Sequence, residues 1–347
     1  MTLPPLKLVL TAVGCPGAST LIRMLKANGE REIAIHGVDM RDEAIGRFLC
    51  DEFTQVPAGS SAEYPGALEA VVARARADIV FVQSSAEVGP VARHRTVLER
   101  YGARVLVADP QAIDLCNDKA AMAAALEGSP VPQPRTLQPA SLEEFVAGCA
   151  ELGYPGVPVC FKPPVAKGSR GFRVLSADVD RVRQLLHARP LSRAMTLDEF
   201  VDLFRGVESF PHLLLMEYLD GPEFTVDALV DGGELVLHQT KTRERVETGV
   251  AMAFRTVERP DLVATAGRVC RALGLDWFVN VQFIGDRLLE VNPRVSTFVY
   301  QEDFVLPYLG LKYALGELDA AAVAAAQARV RPSRRTIRYY DQVFWDV

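Results

Sequence analysis

Asn280-Val-Gln282-Phe-Ile-Gly285-Asp286-Arg-Leu-Leu-Glu290-Val-Asn292-Pro-Arg294 is the stretch of this 347-residue chain that decides how the rest is read. Gly285-Asp286 marks a turn between two apolar runs of strand length, Phe278–Ile284 and Leu288–Val291. Glu290 and Asn292 are two residues apart, so on a strand both side chains point to one face. Gln282 joins them only if it pairs with Glu290, which predicts a three-residue Gly285-Asp286-Arg287 loop. A two-residue Gly-Asp loop would pair Gln282 with Leu289 and turn it to the other face. Three oxygen donors on one face suit a hard cation such as Mg²⁺. Arg294 adds a guanidinium next to them, a shape that holds phosphate oxygens. The competing reading is a set of polar caps at a strand end.

Two earlier segments bear on that choice. Phe161-Lys162-Pro-Pro-Val-Ala-Lys167-Gly168-Ser169-Arg170-Gly171 is a strand end followed by small residues and cations. Glycines let backbone N–H groups approach an anion, and Lys and Arg neutralise it. The segment lacks the GxxxxGK[ST] order of a P-loop, and alone it reads equally as a solvated hairpin tip. Leu213-Leu-Leu-Met216-Glu217-Tyr218-Leu219-Asp220-Gly221-Pro222-Glu223 is an apolar strand ending at one carboxylate, then a turn, then a second carboxylate opening the next strand. By itself it reads as an acidic surface turn.

Further out, the first third alternates strand-length apolar runs (Leu6–Val13, Ile33–Val38, Ile79–Gln83, Val105–Val107) with helical patterns at Ser19–Ala27 and Ala67–Arg76. That alternation predicts βαβ units and a parallel sheet. Gly14 and Gly17 form a turn into a helix without the full GxGxxG, so a dinucleotide site is not assigned, although Asp39 ends the second strand. A helical run covers Gln111–Leu126, and Ser141-Leu-Glu-Glu144 reads as a capping box. Strands are expected at Val157–Lys162, Phe172–Leu175, Leu213–Glu217, Glu223–Val230 and Glu234–His238, with helices at 178–187, 197–205, 260–273 and 320–328. The C-terminal half is therefore α+β within an α/β chain.

Composition narrows the classes. The chain carries 38 Lys and Arg against 44 Asp and Glu, net −6, and is 49% hydrophobic. It can bury large cores, and its charge argues against nucleic acid as a partner. No run of 18 apolar residues predicts a membrane span, and an apolar start carrying Lys7 does not read as a signal peptide, so a cytoplasmic location is expected. Six scattered cysteines read as buried small hydrophobes, and five scattered histidines form no zinc pattern. The basic and aromatic end, residues 331–345, reads as a final strand packing its aromatic rings on the body, in preference to a nucleic-acid stripe.

Taken in order, the 161–171, 213–223 and 280–294 segments resemble the ATP-grasp superfamily. The likeness is strongest to its carbamoyl-phosphate-synthetase-like branch, through Asn280-Val-Gln282-Phe and Asn292-Pro-Arg-Val-Ser296. The resemblance implies an N-terminal Rossmann-like domain over residues 1–112 and two α+β lobes, 113–210 and 211–347, that clamp ATP. It implies that Lys119 and Lys162 meet the ATP phosphates and that Lys167, Gly168, Ser169, Arg170 and Gly171 form a mobile glycine loop. Glu217, Tyr218 and Leu219 would be the adenine hinge, and Glu223 would hold the ribose. Gln282, Glu290 and Asn292 would hold Mg²⁺ or Mn²⁺, and Arg294 would steady the transferred phosphoryl group. The implied activity is ADP-forming ligation of a small carboxylate, such as an amino acid, to an amine through an acyl phosphate. A bicarbonate- or carboxylate-phosphorylating enzyme and a non-catalytic nucleotide-binding protein are the alternatives. Only one module is present, which departs from the synthetase proper. The charged stretch 241–249 matches no single substrate pattern. Arg243 or Arg245 there would hold a substrate carboxylate, or the stretch is a solvated loop. Homodimers are common among such ligases.

Overall fold

In the computed structural model residues 3–165, 170–187, 193–247, 250–296, 301–339 and 341–346 are described. The first third contains β1 (Leu6–Leu10), α1 (Ala18–Lys26), β2 (Ile33–Asp39), β3 (Glu52–Gln55), α2 (Tyr64–Ala75), β4 (Ile79–Phe81), α3 (Val88–Arg93), α4 (Arg95–Glu99) and β5 (Arg104–Val105). They form one parallel sheet in the order β3-β2-β1-β4-β5. β1 and β4 are almost wholly buried, as expected for strands covered on both faces. β1 ends earlier than its apolar run suggests, two residues before Ala12, whose φ of 50° no strand tolerates. β3 lacks an apolar run because it is a partly exposed edge strand, paired only with β2.

The single helix expected over 111–126 is two, α5 (Pro110–Asn117) and α6 (Lys119–Ala125). Asp118 separates them in an extended conformation, and its carboxylate accepts from Ala120 N and Ala121 N at 2.9 and 3.1 Å. An Asp that caps a helix in this way outcompetes continuation of the helix before it. The break places Lys119 at the start of α6.

A second sheet follows, built from β6 (Thr136–Leu137), α7 (Leu142–Glu151), β7 (Val159–Lys162), β8 (Arg173–Leu175), α8 (Arg181–His187), β9 (Ala194–Met195), α9 (Leu197–Phe204) and β10 (Leu214–Glu217). Its order is β6-β10-β7-β8-β9, antiparallel except for β8 beside β9. The helices are held by an aromatic cluster in which Phe145 stacks on Phe200 at 4.1 Å and meets Phe161 edge-on at 5.6 Å. Ser141 caps α7 through Glu144 N, but the Glu144 carboxylate returns to Ala140 N, so the reciprocal box is incomplete. The complete box stands at Thr196 and Glu199 of α9.

The last part holds β11 (Glu223–Asp231), β12 (Glu234–Thr242), β13 (Arg245–Glu247), β14 (Val250–Arg255), α10 (Pro260–Leu273), β15 (Trp277–Ile284), β16 (Arg287–Asn292), α11 (Leu306–Ala314), α12 (Ala320–Gln327) and β17 (Arg335–Ile337). An antiparallel sheet runs β12-β11-β15-β16, and a smaller one β13-β14-β17. One face of the larger sheet, with Val226, Ala228, Val279 and Val281, joins a core with Leu262, Ala266, Val269 and Leu273 of α10. Period-two alternation sends Glu223, Thr225, Asp227, Asn280, Gln282, Glu290 and Asn292 to the other face.

The C-terminal end departs from expectation. Only Arg335–Ile337 forms a strand, while Tyr339 and Phe344 are 72% and 87% exposed. Among the described residues of this segment, Trp345 reaches a ring, Phe48, at 4.9 Å. Arg331 pairs instead with Asp303 at 2.6 Å. All six cysteines are free thiols, and Cys116, Cys149, Cys160 and Cys270 are buried. Among the described residues no helix is long and apolar enough to cross a membrane.

Candidate functional site

The β15–β16 hairpin reaches the required pairing by an unexpected route. Its turn has two residues, Gly285 and Asp286, not three, since Ile284 pairs with Arg287 and Phe283 with Leu288. A bulge at Leu289 then shifts the register by one, so Gln282 stands opposite Glu290 and Asn280 opposite Asn292. Gly285 takes φ +61°, as the first position of a tight hairpin turn demands. A β-bulge therefore brings Gln282 onto the face of Glu290 and Asn292.

These residues line a cavity of about 420 Å³. Its cationic wall has Lys119 at the start of α6, Lys162 at the end of β7, Arg170 and Arg294. Burial, aided by Lys119, pushes Lys162 down to about 8, with Glu290 opposing the shift. Arg294 is held on three sides: its Nε donates to Ser85 Oγ at 2.8 Å, Nη1 to Val295 O at 2.9 Å and Nη2 to Asn292 Oδ1 at 3.3 Å. Ser85 follows β4, so this contact ties the C-terminal end of a central strand of the parallel sheet to the site. Gly171 has φ +71°, and a Cβ there would lie 2.6 Å from Pro163 Cδ, so the turn after Arg170 requires glycine. Lys167, Gly168 and Ser169 lie outside the described residues.

Glu217, Tyr218, Leu219 and Glu223 line the same cavity. Glu217 accepts from Arg287 Nη1 at 2.5 Å, and its carbonyl accepts from Cys160 Sγ at 3.6 Å. Glu223 pairs with Arg243 at 3.0 Å, and Arg243 Nη1 also donates to Gln282 Oε1 at 2.7 Å. Arg243 thus faces the site, whereas Arg245 is exposed on β13 and is not among the lining residues. The stretch after β12 is not a solvated loop from its start: β12 runs on through Lys241 and Thr242, both buried. Cys160 and Cys116 line the cavity, but burial pushes both thiols up to about 12, so neither presents a thiolate near neutral pH.

A divalent metal ion is tested by the donor set. Glu290 supplies the carboxylate, and Gln282 and Asn292 supply amide oxygens. Among the described residues no group of three His, Cys, Asp or Glu side chains is placed to hold a metal. A hard, oxygen-only set with a single carboxylate fits Mg²⁺ that arrives with phosphate oxygens, since Mg²⁺ is commonly held by one or two carboxylates plus substrate phosphates.

Several lining residues escaped the sequence reading: Ser85, Phe172, Arg193, Thr225, Lys241 and Phe254. Arg193 lies 5.8 Å from the Phe172 ring, a contact between residues with no motif between them. Asp227 was legible in principle, since it lies four residues beyond Glu223 on one strand and therefore on the same face.

Residues 209–336 match a family model described as ATP-grasp in the biosynthetic pathway with Ter operon. A carbamoyl phosphate synthase large chain from Thermomicrobium roseum is 29% identical over 211 residues, 57% of this chain but 18% of that one. The chain thus spans about a fifth of that relative's length. Two solved structures share the fold. The biotin carboxylase domain of the Hydrogenobacter thermophilus 2-oxoglutarate carboxylase, in complex with MgADP, ADP and bicarbonate, superimposes with TM-score 0.66 at 18% identity, covering 95% of this chain and 73% of that one. An L-amino acid ligase from Bacillus licheniformis gives TM-score 0.63 at 14% identity, covering 95% and 78%. The chain is thus similar to ATP-grasp proteins, through the family match over residues 209–336, the carbamoyl phosphate synthase relative and the shared fold.

Proposed function

We propose that the chain joins a small carboxylic acid, an amino acid in this reading, to an amine at the expense of ATP, releasing ADP and phosphate. The observation that carries this reading is the convergence of Lys119, Lys162, Arg170 and Arg294 with Gln282, Glu290 and Asn292 on one cavity. The three lobes are assigned to residues 1–112, 113–210 and 211–347. Glu217, Tyr218 and Leu219 would meet adenine and Glu223 the ribose, while Arg243 would meet the acid.

In this mechanism a carboxylate oxygen attacks the γ-phosphorus as the β,γ-bridging P–O bond breaks, and ADP leaves with that electron pair. The amine nitrogen then attacks the acyl carbon, the C–O bond to phosphate breaks, and the nitrogen loses a proton as the amide forms. Lys119, Lys162 and Arg294 offset charge spread over the transferred group. Mg²⁺ or Mn²⁺ held by Gln282, Glu290 and Asn292 would supply Lewis-acid neutralisation of phosphate oxygens. The loop through residues 167–171 would shield the acyl phosphate from water.

The test is ADP release over a panel of amino acids, with and without amine acceptors. An acid–amine pair that raises ADP formation and yields an amide supports the reading, and a panel with no rise above background refutes it. Bicarbonate-dependent release without amine would favour carboxyphosphate formation, the second reading, which the bicarbonate complex of the carboxylase neighbour motivates.

Lys162 gives a pH signature. In the empty site its proton leaves near pH 8, not near 10.5, because burial and Lys119 disfavour the charged amine. A bound phosphate favours the charged form, so nucleotide binding above pH 8 takes up a proton. ADP affinity is expected to fall about tenfold per pH unit between about pH 8 and 10. Calorimetry in buffers of different ionisation enthalpy reads both the slope and the proton. Lys162→Met should remove both, and a flat profile in the unaltered protein would refute the role.

A further inference from the structure

Behind the candidate metal ligands lies a chain of polar side chains drawn from three strands. Lys241 of β12 and Asp227 of β11 form an ion pair, both about 2% exposed at the side chain. Asp227 Oδ1 accepts from Asn280 Nδ2 at 2.6 Å, and Asn280 Oδ1 accepts from Gln282 Nε2 at 2.8 Å. Gln282 Oε1 is then left at the outer end, where it accepts from Arg243 Nη1. The backbone register produces this line, with Asp227 opposite Asn280 and Thr225 between Lys241 and Gln282.

The order of donors along the chain is not arbitrary. A primary amide has a donor end and an acceptor end that are nearly equal in shape, whereas a carboxylate offers acceptors only. Against Asp227, Asn280 must therefore present its NH₂, which turns its oxygen toward Gln282. Gln282 must answer with its own NH₂, which turns Oε1 toward the cavity. Reversing Gln282 would set its oxygen against Asn280 Oδ1 and its NH₂ against the Arg243 guanidinium, losing two hydrogen bonds at once. A hard cation binds an amide through oxygen, not through the NH₂ nitrogen. The buried ion pair thereby selects which end of Gln282 a cation meets.

We propose that Asp227, backed by Lys241 and acting through Asn280, is a positioning residue that holds the oxygen of Gln282 toward the metal. The proposal rests on the reading above of Gln282 as a metal ligand. Nothing in it requires Asp227 to touch nucleotide, acid or metal. Outer-shell partners of this kind commonly contribute 10–100-fold to metal affinity.

The double variant Asp227→Asn with Lys241→Met removes both buried charges together and leaves an amide that can present either end to Asn280. The measurement is Mn²⁺ binding to the protein–ADP complex, read from the free-ion paramagnetic resonance signal, alongside ADP affinity in chelator and a thermal melt. Mn²⁺ affinity is expected to fall roughly tenfold or more beyond any change in metal-free ADP affinity, the latter measured separately because Lys241 also lines the cavity. Gln282→Leu should show at least the same loss, and adding it to the double variant should cost little more than Gln282→Leu alone. Should the double variant fail to fold, Asn280→Ser keeps the ion pair but is too short to reach Gln282, and it carries the same expected loss. Full Mn²⁺ affinity in the folded positioning variant, with affinity lost in Gln282→Leu, overturns the positioning role. Full affinity in Gln282→Leu as well overturns the ligand assignment beneath it.

Discussion

Glu290→Ala is expected to fold normally and to lose roughly 10³-fold in ADP formation. Glu290 is the single carboxylate among the three candidate oxygen donors, and it faces the cavity from β16 opposite Gln282. Without it two neutral amides remain, and a cation would be held by phosphate oxygens with little help from the protein. Metal stabilisation of a transferred phosphoryl group is worth several kcal/mol, and about 4 kcal/mol corresponds to a factor near 10³. Folding should be spared because β16 packs through Leu288 and Val291, which are buried, while Glu290 is only half-buried. Asn292 Nδ2, which donates to Glu290 Oε1 at 3.1 Å, would be left facing the cavity, where water can replace the lost acceptor. A coupled ADP assay with a thermal melt reads both quantities. Turnover near that of the unaltered protein in a folded variant would remove Glu290 from the site.

Arg294→Met is the second large effect, again roughly 10³-fold, but with a different kinetic signature. Arginines that meet the charge of a transferred phosphoryl group are worth about 10³–10⁵ in kcat. Arg294 is fitted to such a task because Ser85, Val295 and Asn292 fix its plane before any ligand arrives. An interaction made chiefly in the transition state should appear in kcat, with KM for ATP changed little. Arg294→Lys should recover only a small part of the loss. An ammonium keeps the charge but lacks the planar fork that reaches Ser85 and Asn292 together. An equal rise in KM for ATP with kcat preserved would show that Arg294 serves ground-state binding instead.

How much of this was legible in the sequence follows from what kind of interaction sets each feature. The parallel sheet was legible because strands covered on both faces leave unbroken apolar runs, as at Leu6–Leu10 and Ile79–Phe81. The edge strand Glu52–Gln55 was not, since one neighbour and partial exposure leave no such run. Two helices were read as one across Asp118 because helix propensity and apolar spacing continue through it. Only the carboxylate's bonds to Ala120 N and Ala121 N reveal the break. The aromatic end was expected to pack, yet among its described residues Tyr339 and Phe344 are largely exposed and Trp345 meets Phe48.

In the site the same division holds at the level of single side chains. Gln282, Glu290 and Asn292 announced themselves because they sit on consecutive strands, where spacing alone decides which face a side chain takes, and Arg294 because it follows the second strand directly. The reading got the pairing of Gln282 with Glu290 and mistook its cause, since the bulge at Leu289 depends on packing between strands and not on turn residues. Ser85, Arg193, Lys241 and Phe254 carry no local signal, and they reach the cavity from segments far apart in the chain. By itself, the sequence determined the layered α/β plan and singled out candidate oxygen donors and cations, because periodicity and side-chain chemistry are local properties. Only the tertiary structure decided which of them meet: Arg243 and not Arg245, Arg294 locked by Ser85, and the oxygen of Gln282 turned outward by a buried ion pair. Those outcomes depend on register, burial and hydrogen-bond direction across strands, and none of these is set by residues adjacent in sequence.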